Sequence, residues 1–117
     1  MIRAEQLSRN FAARRAVHQL NFELETGSVV AFVGPNGAGK SSTIGIIGTL
    51  VTKTSGNVRI FNIDLDADPA LAKSLLGVVS QEINFSQFEK VIDIVTTQAG
   101  FYGIAGSISK PRVKKTL

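Results

Sequence analysis

Cysteine is absent from this chain, which excludes a disulfide framework and any zinc–thiolate centre. Histidine occurs once, as His18, in a stretch that reads as strand, so it is taken as structural. No apolar run approaches the roughly 20 residues that a membrane-spanning helix needs. The N-terminus has no extended apolar segment behind its arginine, so no secretory signal is expected, and a cytoplasmic setting follows. An excess of basic charge is also largely missing from the body of the chain. The formal net charge is +4, but Lys110, Arg112, Lys114 and Lys115 supply four of the thirteen basic residues. Residues 1–109 are formally neutral. A nucleic-acid binder would carry a basic face with interleaved aromatics on its folded part, so no nucleic-acid partner is expected. With 117 residues and an apolar share of 44%, the chain is globular and holds one domain at most.

What is present is a loop with a definite chemistry. Gly34-Pro35-Asn36-Gly37-Ala38-Gly39-Lys40-Ser41 fits the phosphate-binding pattern Gly-x-x-x-x-Gly-Lys-[Ser/Thr]. Glycines at both ends let the backbone curl with its N–H groups inward around a polyphosphate. The lysine reaches the β- and γ-phosphates, and the serine hydroxyl holds magnesium. The following helix turns its positive end toward the same anion. The flanks agree with this reading. Val29-Val30-Ala31-Phe32-Val33 is a short apolar run of the kind a buried parallel strand uses. Ile44, Ile46, Ile47, Leu50 and Val51 then follow at helical spacing.

Elsewhere, alternation predicts strands over 1–7 and 17–25, separated by a polar turn from Ser8 to Arg15 that holds Phe11. A helix after the loop should end near Val51, with Thr54-Ser55-Gly56-Asn57 as a turn and Val58 and Ile60 in a short edge strand. Asp68-Pro69 reads as an N-cap with proline at the first position of a helix over 69–75. Asp64, Asp66 and Asp68 lack the glycine and terminal glutamate of a calcium loop and read as turn and capping residues. Leu76 to Ser80 is a second apolar strand leading into Gln81. Val91, Ile94, Val95, Ala99 and Tyr102 share one helical face. Residues 103–117 show no core signal, and no internal repeat is visible.

Taken in order, these features closely resemble the amino-terminal half of an ABC-transporter ATPase subunit, over about residues 1–104. The resemblance implies an α/β fold: a P-loop NTPase core with a three-layer, mostly parallel sheet and an antiparallel β subdomain, stopping before the second half of the domain. Residues 34–42 would be the phosphate loop, the region near Gln81 the Q-loop, and 89–102 the start of a helical subdomain. Residues 105–117 would be a basic, disordered tail. The wording of Gln81-Glu82-Ile83-Asn84-Phe85 and Gln98-Ala99-Gly100-Phe101-Tyr102-Gly103 is similar to the bacterial exporter branch handling drugs, antibiotics or polysaccharides.

The family pattern also implies roles. Phe11 would stack on adenine, and Gly34, Pro35, Asn36, Gly37, Ala38, Gly39, Lys40, Ser41 and Ser42 would surround the phosphates of ATP. Lys40 would neutralise charge developing on the γ-phosphoryl group. Ser41 and Gln81 would ligate Mg2+, and Gln81 would also position water. The implied partners are a transmembrane permease subunit and a second nucleotide-binding subunit in a head-to-tail dimer, with the protein peripheral on the cytoplasmic face of the membrane. Relatives usually have proline before the glutamine, where this chain has Ser80. After Tyr102 we find no acidic strand end, no catalytic glutamate, no Leu-Ser-Gly-Gly-Gln-type signature and no switch histidine. The resemblance still implies an ABC-type ATPase, and leaves open whether these residues alone hydrolyse ATP. A truncated nucleotide binder without turnover, or another P-loop NTPase, is the alternative. A GTPase should show Asn/Thr-Lys-x-Asp, and Thr52-Lys53-Thr54-Ser55 lacks the aspartate.

Overall fold

The computed structural model describes residues 1–82 and 87–117 and divides into two compact units, Met1–Val78 and Val79–Leu117. In the first, β1 (Ile2–Phe11) and β2 (Arg14–Leu24) form a hairpin. After the glycine loop come α1 (Lys40–Ile47), β3 (Ser55–Ile60), β4 (Ile63–Asp64) and α2 (Pro69–Ser74). The strands make one antiparallel sheet in the order β2-β1-β3-β4. The strand around Val58 and Ile60 is thus not an edge, as its shortness suggested. It lies between β1 and β4, and both residues are buried.

The first hairpin is longer than alternation indicated, and the expected turn from Ser8 to Arg15 shrinks to Ala12-Ala13. The reason is a fault in the alternation. Ala4 and Leu7 are both buried although three residues apart, which a regular two-residue period forbids. A bulge resolves this: Gln6 has φ 50°, and the β1–β2 register shifts between Ala4 and Leu7. A bulge turns the following side chains over to the other face. Gln19, with φ 46°, is the matching irregularity on β2, and its N–H donates to the buried Ser8 hydroxyl at 2.9 Å. Gly56 belongs to the same corner. It has φ 92°, and a Cβ there would lie 2.4 Å from the Gln6 carbonyl oxygen.

The core of this unit is Ala4, Leu7, Val17, Val58 and Ile60 from the sheet, Ile46 from α1, Ala72 from α2 and Leu65 from the link between β4 and α2. Asp68 caps α2 as the sequence indicates, accepting from the Leu71 N–H at 3.0 Å, with Pro69 at the first helical turn. Helix α1 stops at Ile47 rather than near Val51, because Gly48, Thr49 and Leu50 form a closing turn. The N–H of Leu50 donates to the Gly45 carbonyl at 2.8 Å and that of Thr49 to Ile46 at 3.0 Å, the paired bonds of a Schellman ending.

The apolar runs at 29–33 and 76–80 are not strands. Val29, Val33 and Val79 are 100%, 93% and 97% exposed. A strand exists only through hydrogen bonds to a neighbour, and no described residue pairs with either run. Phe32 alone of the first run is held, edge-on against Phe22 at 5.5 Å between ring centres.

The second unit contains α3 (Val91–Phe101) packed on α4 (Gly106–Thr116). Helix α3 forms where the periodicity expects it, but not with the expected face inward: Val91, Val95 and Tyr102 are exposed, Ile94 and Ala99 are half-buried, and Tyr102 is the residue that ends the helix. Helix α4 replaces the expected disordered tail: Ser109 and Val113, four residues apart, are buried on one side. The basic residues and Pro111, which lies inside the helix, masked this short stripe. The exporter-like wording at Ile83, Asn84 and Phe85 falls outside the described residues.

Candidate functional site

Lys40 stands at the first position of α1, and the residue before it, Gly39, carries φ 88° with no side-chain cap. The N–H groups of the first helical turn have no intrahelical acceptor, and neither a capping oxygen nor an acidic side chain occupies that turn. The helix therefore presents unscreened donors and its positive end to whatever lies in front of it.

Gly39 is also pinned against the sheet. A Cβ on it would come within 2.3 Å of the Ala16 carbonyl oxygen and 3.1 Å of a Val17 methyl. This close approach fixes the loop against β2. Pro35, Asn36, Gly37 and Ala38 make a tight turn, closed by the Ala38 N–H donating to the Pro35 carbonyl at 3.2 Å, with Gly37 at φ 85°. A positive φ at the third position of such a turn is the geometry that favours glycine. The sequence reading attributed the loop's curl to glycines at both of its ends. Of these, Gly39 carries a positive φ and Gly34 does not, and Gly37 inside the loop supplies the second.

The ammonium of Lys40 folds back over the loop and donates to the carbonyl oxygens of Gly34 and, at 2.7 Å, Pro35. The loop thus encloses its own cation. Around it lies an open cavity of about 360 Å3 lined by Phe11, Arg14, Ala16, Asn36, Gly37, Gly39, Lys40, Ser41 and Ser42. Phe11 ends β1, 45% exposed, with the Arg9 guanidinium 4.3 Å from its ring centre. Arg9 does not line the cavity. An aromatic wall, a row of backbone donors and a cation are thus assembled within one unit.

The hydroxyls of Ser41 and Ser42 have no hydrogen-bond partner among the described residues. A free hydroxyl beside a cavity suits magnesium, which keeps most of its waters and takes few protein ligands. Among the described residues no three His, Cys, Asp or Glu side chains are grouped to hold a metal. Ser41 and Ser42 both line the cavity, and either hydroxyl could hold the ion. Gln81 is exposed and belongs to the second unit. Within the first unit the structure brings together Phe11, Asn36, Gly37, Gly39, Lys40, Ser41 and Ser42 around the cavity, while Gly34, Pro35 and Ala38 do not line it. Sequence reasoning missed Arg14 and Ala16. They belong to no loop motif, and only the register that sets Phe11 opposite Arg14 brings them to the cavity.

His18 sits exposed on β2, its Nε2 3.4 Å from an Arg15 nitrogen and away from the loop. Asp66 pairs with Lys53 at 2.7 Å. Asp64 accepts from the Asn57 amide at 2.8 Å and from the Asp66 and Ala67 N–H groups at 2.8 and 3.3 Å. The Asn57 bond first, and then these backbone bonds, hold its carboxyl below the usual carboxylate range. The acidic stretch thus closes turns. Among the described residues no helix is long and apolar enough to cross a membrane.

Comparison with known proteins gives a consistent picture. The family model described as ABC transporter matches residues 17–115, so the match continues through α4. The linearmycin resistance ATP-binding protein LnrL of Bacillus subtilis (strain 168) is 31% identical over all of this chain, which covers 38% of its length. The probable multidrug ABC transporter ATP-binding protein YbhF of Escherichia coli (strain K12) is 28% identical over 98% of this chain and 20% of its own length. The dimeric structure of a bacterial ABC transporter cassette superposes with a TM-score of 0.81 at 26% identity, over 96% of this chain and 53% of that one. The chain thus spans well under half of the two curated relatives.

Proposed function

Because this chain belongs to the ABC transporter family, we propose that its glycine loop and Phe11 form the ATP site of a membrane transporter, and that the whole protein couples ATP binding and hydrolysis to export. The observation that carries this reading is the uncapped start of α1, with Lys40 folded over the loop in a cavity walled by Phe11.

Phe11 offers a ring face to the adenine, a contact that stacking makes tolerant of the exact base edge. The backbone donors from Asn36 to Ser42 face the phosphates. Lys40 exchanges its two carbonyl partners for β/γ-phosphate oxygens, so that an internal contact is traded for a ligand contact of opposite charge. Ser41 is the residue that would hold magnesium, which would supply charge neutralisation for the phosphates. Gln81 is assigned the water- and magnesium-positioning role by its place in the sequence pattern. A permease subunit, a second nucleotide-binding subunit and a position on the cytoplasmic membrane face follow from the family reading. Export of drug-like compounds rests on the names of LnrL and YbhF.

The test is titration of the full chain with magnesium-ATP. Binding to the wild type and loss of at least about 100-fold in affinity in Lys40→Ala are expected, the scale of a strong charge-assisted phosphate contact. Equal binding by both proteins would remove Lys40 from the site and the proposal with it. Competition by GTP in preference to ATP would move the chain to another class of P-loop enzyme.

A further inference from the structure

We propose that Arg14 is a nucleotide-binding residue, the cation that meets an incoming phosphate chain before Lys40 releases its loop carbonyls. The inference rests on the ATP-site reading above and assigns a role within that site.

Three observations converge on Arg14. It lies opposite Phe11 at the end of the first hairpin, so whatever stacks on that ring passes beside it. Its guanidinium reaches over the phosphate loop: a Cβ on Gly37 would be 2.7 Å from its Nη2. It also lines the same cavity as Asn36, Lys40 and Ser41.

The state of the two cations then decides their order of action. Lys40 already has two carbonyl acceptors. Among the described residues the Arg14 guanidinium has neither a hydrogen-bond nor an ion-pair partner. Nor is there a carboxylate in the cavity wall to claim it, and no acidic residue occurs anywhere from 26 to 63. An unpaired guanidinium engages phosphate oxygens in a two-pronged bond without giving up a protein contact. An ammonium bound to carbonyls must first exchange them. Arg14 therefore captures and Lys40 locks. Gly37 contributes to this arrangement, since a side chain there would occupy the space of the guanidinium.

The experiment measures binding of magnesium-ATP and of magnesium-tripolyphosphate to the full chain, as wild type, Arg14→Ala, Arg14→Lys and Lys40→Ala, at low and high salt. Arg14→Ala is expected to weaken both ligands about tenfold at low salt, the scale of one charge-assisted contact. It should also narrow the gap between low- and high-salt affinities, because it removes a screened charge. Arg14→Lys should recover part of the loss, and both Arg14 variants should melt with the wild type. In stopped-flow mixing the association rate should fall more than the dissociation rate rises. Unchanged binding by Arg14→Ala overturns the proposal. So does weaker ATP binding with intact tripolyphosphate binding, since the effect would then run through Phe11 and the base. Wild-type binding that Lys40→Ala abolishes and Arg14→Ala leaves intact removes this inference alone. No wild-type binding removes the ATP-site reading and this inference together.

Discussion

At the scale of single residues, backbone conformation separates the glycines that matter from those that only match a pattern. Gly39 combines φ 88° with an approach that would put a Cβ 2.3 Å from a carbonyl oxygen of β2. Neither the dihedral nor the main chain can give way cheaply. Gly39→Ala is expected to lower stability by about 2 kcal/mol or more and to abolish magnesium-ATP binding, as checked by chemical denaturation and titration. At Gly34 a Cβ would meet only the Ala38 methyl at 3.3 Å, with no positive φ, so alanine there should be milder on both readouts. Asp64 gives a prediction with a sign. Its folded pKa lies below the ordinary value of 3.8, chiefly through the Asn57 bond, so ionisation favours the fold. Its contribution is present above 3.8 and is lost as pH falls through the lower folded value. Asp64→Ala should therefore melt below the wild type at neutral pH. In melts taken at falling pH the difference should close only under the ordinary carboxylate range. A gap of constant size down to strong acid would contradict this.

At the scale of elements, the irregularities explain which parts of the chain were legible. The glycine loop and the start of α1 were read directly, because turn geometry demands glycine at Gly37 and Gly39. So was the cap of α2, where Asp68 and Pro69 act on adjacent backbone. The first hairpin was read short because the bulges at Gln6 and Gln19 break the alternation that defines a strand in sequence. The end of α1 was misplaced for a related reason. Its left-handed closing residue is Thr49, with φ 60°, where glycine would have announced the stop. A β-branched residue in that conformation is strained, and the Thr49 hydroxyl is buried without a partner. Thr49→Gly is expected to raise stability by about 1 kcal/mol, measured by urea denaturation. A loss of stability would show that the threonine packs more than it strains.

At the scale of the molecule, the two apolar runs carry the consequence. Val29, Val33 and Val79 are almost fully exposed, in segments whose composition suits strands covered on both faces. At roughly 25 cal/mol per Å2, leaving several hundred Å2 of such surface in water forgoes several kcal/mol, comparable to a domain's whole margin. A polypeptide of these 117 residues alone is expected to bind a hydrophobic dye under native conditions and to unfold at a low midpoint temperature. A sharp calorimetric transition well above room temperature, without dye binding, would contradict this.

Sequence alone settled the family to which the pattern points, the helix that opens after the glycine loop, and the capped helix at Pro69. Each rests on interactions between residues near one another in the chain. Tertiary structure decided the central place of β3, the absence of pairing at 29–33 and 76–80 among the described residues, the helix at the basic end, and the arrival of Arg14 at the cavity that Lys40 also lines. Those depend on which distant segment lies alongside, and hydrogen-bond partnership across space leaves no mark in the local order of side chains.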